Sequence, residues 1–291
     1  MFYLINKPQG LSSFDVIRKL RKILQTRQMG HTWTLDPLAE WCLLIATWNS
    51  TKLIPYIEKA RKTYIASISI DGISESLDLG TDIIKSNPLF LKKKEEDLSY
   101  ERVKNYIEEI LPWKQNQIPP KYSAIHINGV RAYELARKNI EVTMPMREIE
   151  IFSSRLISYT FPHIEIEVTV SSGTYIRSLA RDVGLFFWCE WGYLTRLIRT
   201  QIDSLDIEYS QNLETFNKDI WIPYAKLFSD IPILSLSEKE YTDIKHGRVI
   251  WTEWKENITP WCPLFLSYKD EIFAIGSLNN EWIQVTRNNI T

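Results

Sequence analysis

The ten residues Gly30-His31-Thr32-Trp33-Thr34-Leu35-Asp36-Pro37-Leu38-Ala39 hold a single carboxylate on a tight turn between a histidine and an apolar run. Proline fixes its own φ and steers the residue before it away from helical angles. Asp36-Pro37 therefore reads as a turn or helix start with the Asp side chain clear of the backbone ladder. Taken alone, an Asp before Pro is ordinarily a cap or turn residue. Its surroundings give it more weight. Downstream, Cys42 to Thr47 is continuously apolar and reads as a short buried strand. Upstream, Phe2 to Asn6 reads as a strand, Lys7-Pro8-Gln9-Gly10 as a turn, and Ser13 as the cap of a helix with Ile17, Leu20 and Leu24 at helical spacing. The other face of that helix carries Arg18, Lys19, Arg21 and Lys22.

Further along, Thr51 to Lys59 reads as a short helix and Lys62 to Asp71 as a strand whose Tyr64, Ala66, Ile68 and Ile70 share one face. Gly72 to Glu96 is polar and turn-rich and reads as a mobile loop. Ser99 caps a helix to Leu111, and Pro112 to Asn128 is an irregular excursion before a helix near Val130 to Lys138. Arg147 to Tyr159 and His163 to Ser172 read as a strand pair. Gly173 then breaks the second strand and Thr174 caps a helix. On that helix Arg177 and Arg181 lie one turn apart, opposite Ile176, Leu179, Ala180 and Val183. A boundary near residue 229 is expected at Ser229-Asp230-Ile231-Pro232, before an acidic, strand-rich tail.

With 291 residues, 44% hydrophobic and 24% charged, the chain is core-forming rather than disordered. Cys42, Cys189 and Cys262 form no C-x-x-C pair, and His31, His126, His163 and His246 lack ligand spacing, so neither a disulfide framework nor a metal site is expected. No apolar run approaches the roughly 18 residues of a membrane span, and a soluble cytoplasmic protein is expected. The net charge of −1 hides an asymmetry. Residues 1 to 65 hold ten Lys/Arg against four Asp/Glu, whereas 201 to 291 hold eight against fourteen. A basic front end of this kind suits a polyanion.

The opening ten residues resemble, nearly letter for letter, the catalytic motif G-H-T-G-T-L-D-P-x-A of the TruB-type tRNA pseudouridine synthases. Three further segments follow in the family's order: Arg61-Lys62-Thr63-Tyr64, Gln117 to Arg137 (QIPPKYSAIHINGVRAYELAR), and Ser172-Gly173-Thr174-Tyr175-Ile176-Arg177. Phe2 to Leu24 is similar to that family's opening strand, Lys-Pro turn and basic helix. The resemblance implies an α+β fold with a largely antiparallel mixed sheet flanked by helices. It places a catalytic domain at 1–228, a thumb-like insertion at about 112–146, and a small PUA-like β-barrel at 229–291. The implied activity is isomerisation of uridine to pseudouridine at position 55 in the T loop of tRNA, by a monomer without cofactor or metal.

By the same resemblance Asp36 is the catalytic carboxylate. It either attacks the anomeric carbon or handles a glycal-like intermediate, and the sequence leaves both routes open. Arg177 is its cationic partner, since a guanidinium stays charged and binds a carboxylate with two donors. Tyr64 stacks on the uracil and assists the C5 proton. His31 fills the space left by the flipped nucleotide, Tyr175 and Leu197 touch base or sugar, and Lys52 and Lys19 face the RNA. His126 departs from the pattern, which has lysine there. Two other readings compete: an RNA-binding protein without turnover, and a glycosidase, for which no second acid accompanies Asp36 in its motif.

Glycine is scarce at 10 residues and tryptophan abundant at 11. Trp33, Trp41, Trp48, Trp113, Trp188 and Trp191 fall where the family has glycine. The expectation is a genetic code in which UGA means glycine, with an indole written at positions that need a residue free of Cβ.

Overall fold

The computed structural model describes residues 1–57, 59–229, 231–251, 261–269, 271–279 and 282–288. Its centre is a ten-stranded sheet. Eight of its strands run in the spatial order Gln211–Asn212, Phe2–Lys7, Ala39–Thr47, Tyr193–Ile202, Lys62–Ser69, His163–Val170, Arg147–Thr160 and Lys114–Gln117, while Met29–His31 pairs with Ala39–Thr47 and Leu205–Asp206 with Tyr193–Ile202. Two pairings are parallel, Phe2–Lys7 with Gln211–Asn212 and Ala39–Thr47 with Tyr193–Ile202; the others on this path are antiparallel, as the resemblance implies. Ala39–Thr47 is apolar almost throughout because both of its faces are covered. Leu43 and Ile45 join Tyr3 and Ile5 in a core closed by Val16, Ile17 and Leu20 of the helix Ser13–Leu24. Cys42, Leu44 and Ala46 face the other way, with Phe2 and Leu4.

That second face meets the tail of the chain. A five-stranded sheet, in the order Ile233–Ser235, Pro263–Tyr268, Glu271–Asn279, Trp282–Asn288, Ile250–Trp251, brings Phe265, Ile272 and Ile275 into the same core as Phe2, with Phe228 between them. The Phe228 and Phe265 rings meet edge to face at 4.9 Å. The sheet is curled, and among the described residues it is open rather than a closed barrel. Asp230 of the expected boundary and residues 252–260 of the expected barrel lie outside the described residues.

Several local expectations shift. Gly72 to Glu96 is built rather than loose: Gly72–Ser74 pairs with Ile83–Lys85, and Pro88–Asp97 is a helix started by Asn87, whose side chain accepts from Leu89 N. Lys85 donates to Asp71 and Tyr193, tying this hairpin to the central sheet. Ser12, not Ser13, caps the first helix, in a reciprocal box with Asp15. Ser13 instead closes a two-way clip on the backbone of Leu35. The stretch expected as a helix from Thr51 is a 3₁₀ helix, Trp48–Tyr56. The helix after Gly173 starts without a Thr174 cap. Gln117 serves it, accepting from Tyr175 N at 2.9 Å and donating to Tyr175 O at 3.1 Å.

Trp33, Trp41, Trp48, Trp188 and Trp261 have φ between 49° and 72°, in the left-handed region where a Cβ meets the following carbonyl. Trp113 and Trp191 do not. Trp188 shows the local cause. The helix Ile176–Phe186 ends with Trp188 N donating to Leu185 O and Cys189 N to Gly184 O, both at 3.0 Å. Trp188 thus holds the left-handed position beyond the helix, where glycine is the usual residue. Its side chain is 78% exposed, so little packing offsets the strain. Trp188→Gly is expected to stabilise the fold by about 1 kcal/mol, a rise of roughly 2–4 °C in Tm. A lower Tm in thermal unfolding would show that the indole contributes more than the backbone loses.

Candidate active site

Asp36 sits at the head of a short turn closed by Ala39 N donating to Asp36 O at 3.0 Å. Two backbone-directed contacts pin that turn to the Lys7-Pro8 corner. Gly10 N donates to Pro37 O at 2.8 Å, and the buried Lys7 ammonium reaches Pro8, Leu11 and Pro37 carbonyls at 3.1, 2.6 and 3.3 Å. Burial lowers the Lys7 pKa to about 8, against the pull of Asp36 and Glu40. The Lys-Pro turn is therefore the mount of the Asp36 loop.

Arg177 comes in from the first turn of the helix Ile176–Phe186 and is 5% exposed. Its Nη2 donates to Asp36 Oδ1 at 3.0 Å, and its Nε lies 2.8 Å from Asp36 Oδ2. The same guanidinium donates to Ser76 O and Tyr122 O, each at 3.0 Å. Arg177 is thus a buried clamp and not a surface arginine, and it fixes Asp36 against two other segments. Asp78 Oδ2 is 3.7 Å from its Nε.

The Asp36 side chain keeps 35% of its surface open to a cleft of about 1130 Å³. Enclosure at the cleft floor raises the Asp36 carboxyl from its ordinary value; Arg177 opposes that rise and Asp78 adds to it. Tyr64, on the strand Lys62–Ser69, and Leu197, on Tyr193–Ile202, line the cleft from the sheet. His31 and Tyr175 line it from the ends of their elements, and the His31 Nε2 lies 2.9 Å from Thr34 Oγ1. Burial, and then Arg199, lowers the His31 pKa. The opposite wall is the excursion after Pro112, through Tyr122, Ser123, His126 and Arg131.

The structure thus brings together Asp36, Arg177, Tyr64, His31, Tyr175 and Leu197. It does not bring Lys19 or Lys52 to the cleft: Lys19 is exposed on the helix Ser13–Leu24, and Lys52 lies on the 3₁₀ helix. Residues the sequence reading passed over also line the cleft, namely Lys62, Ser76, Asp78 and Arg199. Asp78, outside the Asp36 motif, adds a second acid beside the Asp36 and Arg177 pair. It was legible in principle: the hydroxyl and acid alternation Ser74-Glu75-Ser76-Leu77-Asp78 before Gly80-Thr81 is a turn signature, and Asp78 Oδ1 does accept from Gly80 N and Ser76 Oγ, at 2.8 and 2.6 Å. Among the described residues no cluster of His, Cys, Asp and Glu could hold a metal ion.

Residues 21–176 match the model of the TruB family pseudouridylate synthase N-terminal domain. The chain belongs to that family. It is 34% identical over 98% of its length to a tRNA pseudouridine synthase B of Clostridium kluyveri, of which it covers 94%, and 36% identical over 96% to one of Syntrophomonas wolfei, of which it covers 93%. Among solved structures it is similar to a chain of a Cbf5-Nop10-Gar1 complex, with a TM-score of 0.68 at 18% identity over 100% of this chain and 84% of that one. That likeness speaks for the fold. For a TruB family enzyme the Asp36 and Arg177 geometry makes a direct prediction. Arg177→Lys keeps the charge but loses the forked donors to Asp36, Ser76 O and Tyr122 O, and kcat is expected to fall by about 10²-fold or more. Steady-state rates close to those of the unsubstituted protein would refute the clamp.

Proposed function

We propose that this protein isomerises uridine to pseudouridine in tRNA, at position 55 of the T loop. The observation that carries this reading is a carboxylate held by a buried guanidinium at the floor of a cleft with room for a nucleotide, in a chain of the pseudouridylate synthase family. The C1′–N1 bond of the nucleotide breaks, the uracil turns, and a C1′–C5 bond forms; C5 gives up its proton and N1, now free of the sugar, ends protonated. Asp36 is the group placed for this work, as nucleophile at C1′ or as the base that makes and unmakes a glycal. Neither route requires a metal.

Arg177 keeps the carboxylate oriented and balances its charge. Tyr64, 8% exposed and facing the cleft, offers a ring for the uracil. Leu197 packs beside it from the neighbouring strand, and Tyr175 bounds the sugar. A T-loop uridine is stacked in folded RNA, so it must leave the stack to reach Asp36, at a cost of a few kcal/mol. His31 at the rim is the group to take its place. Lys19 and Lys52, away from the cleft, serve phosphates further along the RNA. Residues 1–228 act as the catalytic domain, with the segment at about 112–146 closing over the RNA. Residues 229–291 act as a PUA-like RNA-binding domain, and the protein works as a monomer in the cytoplasm. Among the described residues no helix is long and apolar enough to cross a membrane.

The test is a uridine-bearing T stem-loop incubated with the purified protein and its Asp36→Asn variant. Pseudouridine is expected from the first, and at least about 10³-fold less from the second, with RNA binding retained. Undiminished product from Asp36→Asn would remove Asp36 from the chemistry, and free uracil in place of pseudouridine would make the protein a glycosidase.

A further inference from the structure

Beside the Asp36 and Arg177 pair the cleft holds two more buried cations. Lys62 is 3% exposed and Arg199 is 1% exposed, and both line the cavity. They stand on neighbouring strands. Arg199 is in register with Tyr64, and Lys62 lies two residues before Tyr64 on the same face. Arg199 uses Nε on Cys42 O at 2.8 Å and Nη1 on Trp33 O at 3.1 Å. Its Nη2 has no hydrogen-bond partner among the described residues, and neither has Lys62 Nζ. Lys62 Nζ lies 4.0 Å from the centre of the Trp33 ring, which covers it. Asp203, whose charge favours the lysine cation, has Oδ1 engaged by Arg61 N.

An ammonium and a guanidinium edge enclosed together with unused donors are unfavourable unless an anion joins them. Burial, and next the charge of Arg199, lowers the Lys62 pKa to about 7. We propose that Lys62 and Arg199 form an anion subsite that takes one backbone phosphate of the RNA next to the target uridine. This rests on the RNA reading above. The forked guanidinium and the ammonium point charge supply the donors that a phosphate needs; where residue 33 is tryptophan its indole covers the subsite, and with glycine there the subsite stands open.

The experiment measures binding of T stem-loops carrying one methylphosphonate at a time around the uridine. It uses the protein itself, Trp33→Gly, which removes the cover, and Trp33→Gly with Lys62→Met. In Trp33→Gly one flanking methylphosphonate is expected to raise Kd about tenfold and to lower the salt slope of binding by roughly 0.7–0.9. With Lys62→Met added, that position no longer matters. If no flanking position raises Kd in Trp33→Gly, or if the penalty survives Lys62→Met, the subsite is overturned. Pseudouridine made from unmodified RNA in the same samples reads the enzymatic assignment separately.

The left-handed backbone carries a second inference. Among the described residues eleven non-glycine positions have positive φ; five are tryptophan, a bulky residue seldom found there, and three of the others are Asn or Asp, which tolerate that region. The geometry assigns glycine to positions 33, 41, 48, 188 and 261 of the working protein, written as tryptophan because the ribosome of its organism reads UGA as glycine. The codons decide: UGA is expected at all five, together with glycine in peptides of the native protein. UGG at these positions, or tryptophan in those peptides, overturns it.

Discussion

The guanidinium of Arg177 joins three stretches of chain that are far apart in sequence. It pairs with Asp36 on the turn after the first helix, holds Ser76 O in the hairpin loop, and holds Tyr122 O in the excursion over the cleft. Removing one partner of a buried pair leaves the other charge uncompensated, at a cost of about 3–5 kcal/mol, so these segments hold one another in place. The Asp36 carboxylate and two walls of the cleft therefore share a single fastening.

That fastening works because both partners come from rigid mounts. Asp36 is set by the Lys7 ammonium and Gly10 N gripping Pro37 O, and by Ser13 clipping Leu35. Arg177 is set by a helix whose first turn is held by Gln117 and whose residues Leu179, Ala180 and Val183 pack into the main core. The sheet supplies the remaining wall, since alternation along Lys62–Ser69 and Tyr193–Ile202 turns Lys62, Tyr64, Leu197 and Arg199 toward the same space. The back of the sheet is closed by the curled tail through Phe228 and Phe265. The tail thus shares a core with the sheet that bears the site.

The elements that were legible are those whose signal is local. The strands at Phe2, Cys42, Lys62 and His163 follow from apolar runs and alternation, and the first helix from Ile17, Leu20 and Leu24 at helical spacing, though its cap lies one residue earlier than expected, on Ser12. The stretch Gly72 to Glu96 was misread because its stabilising contacts are distant: Lys85 reaches Asp71 and Tyr193, and Arg177 reaches Ser76 O. Polar composition marks a loop only where polar groups meet water. Here they meet each other.

The sequence by itself determined that a carboxylate would stand on a proline turn, that a strand with Tyr64 on its apolar face would follow, and that an arginine would open a later helix. Each of these is fixed by neighbours a few residues away. Only the tertiary structure decided that Arg177 is buried against Asp36 with Asp78 beside it, that Lys62 and Arg199 share the cleft, and that Lys19 and Lys52 stand outside it. Those facts depend on strand register and on contacts across more than a hundred residues, which no local pattern encodes.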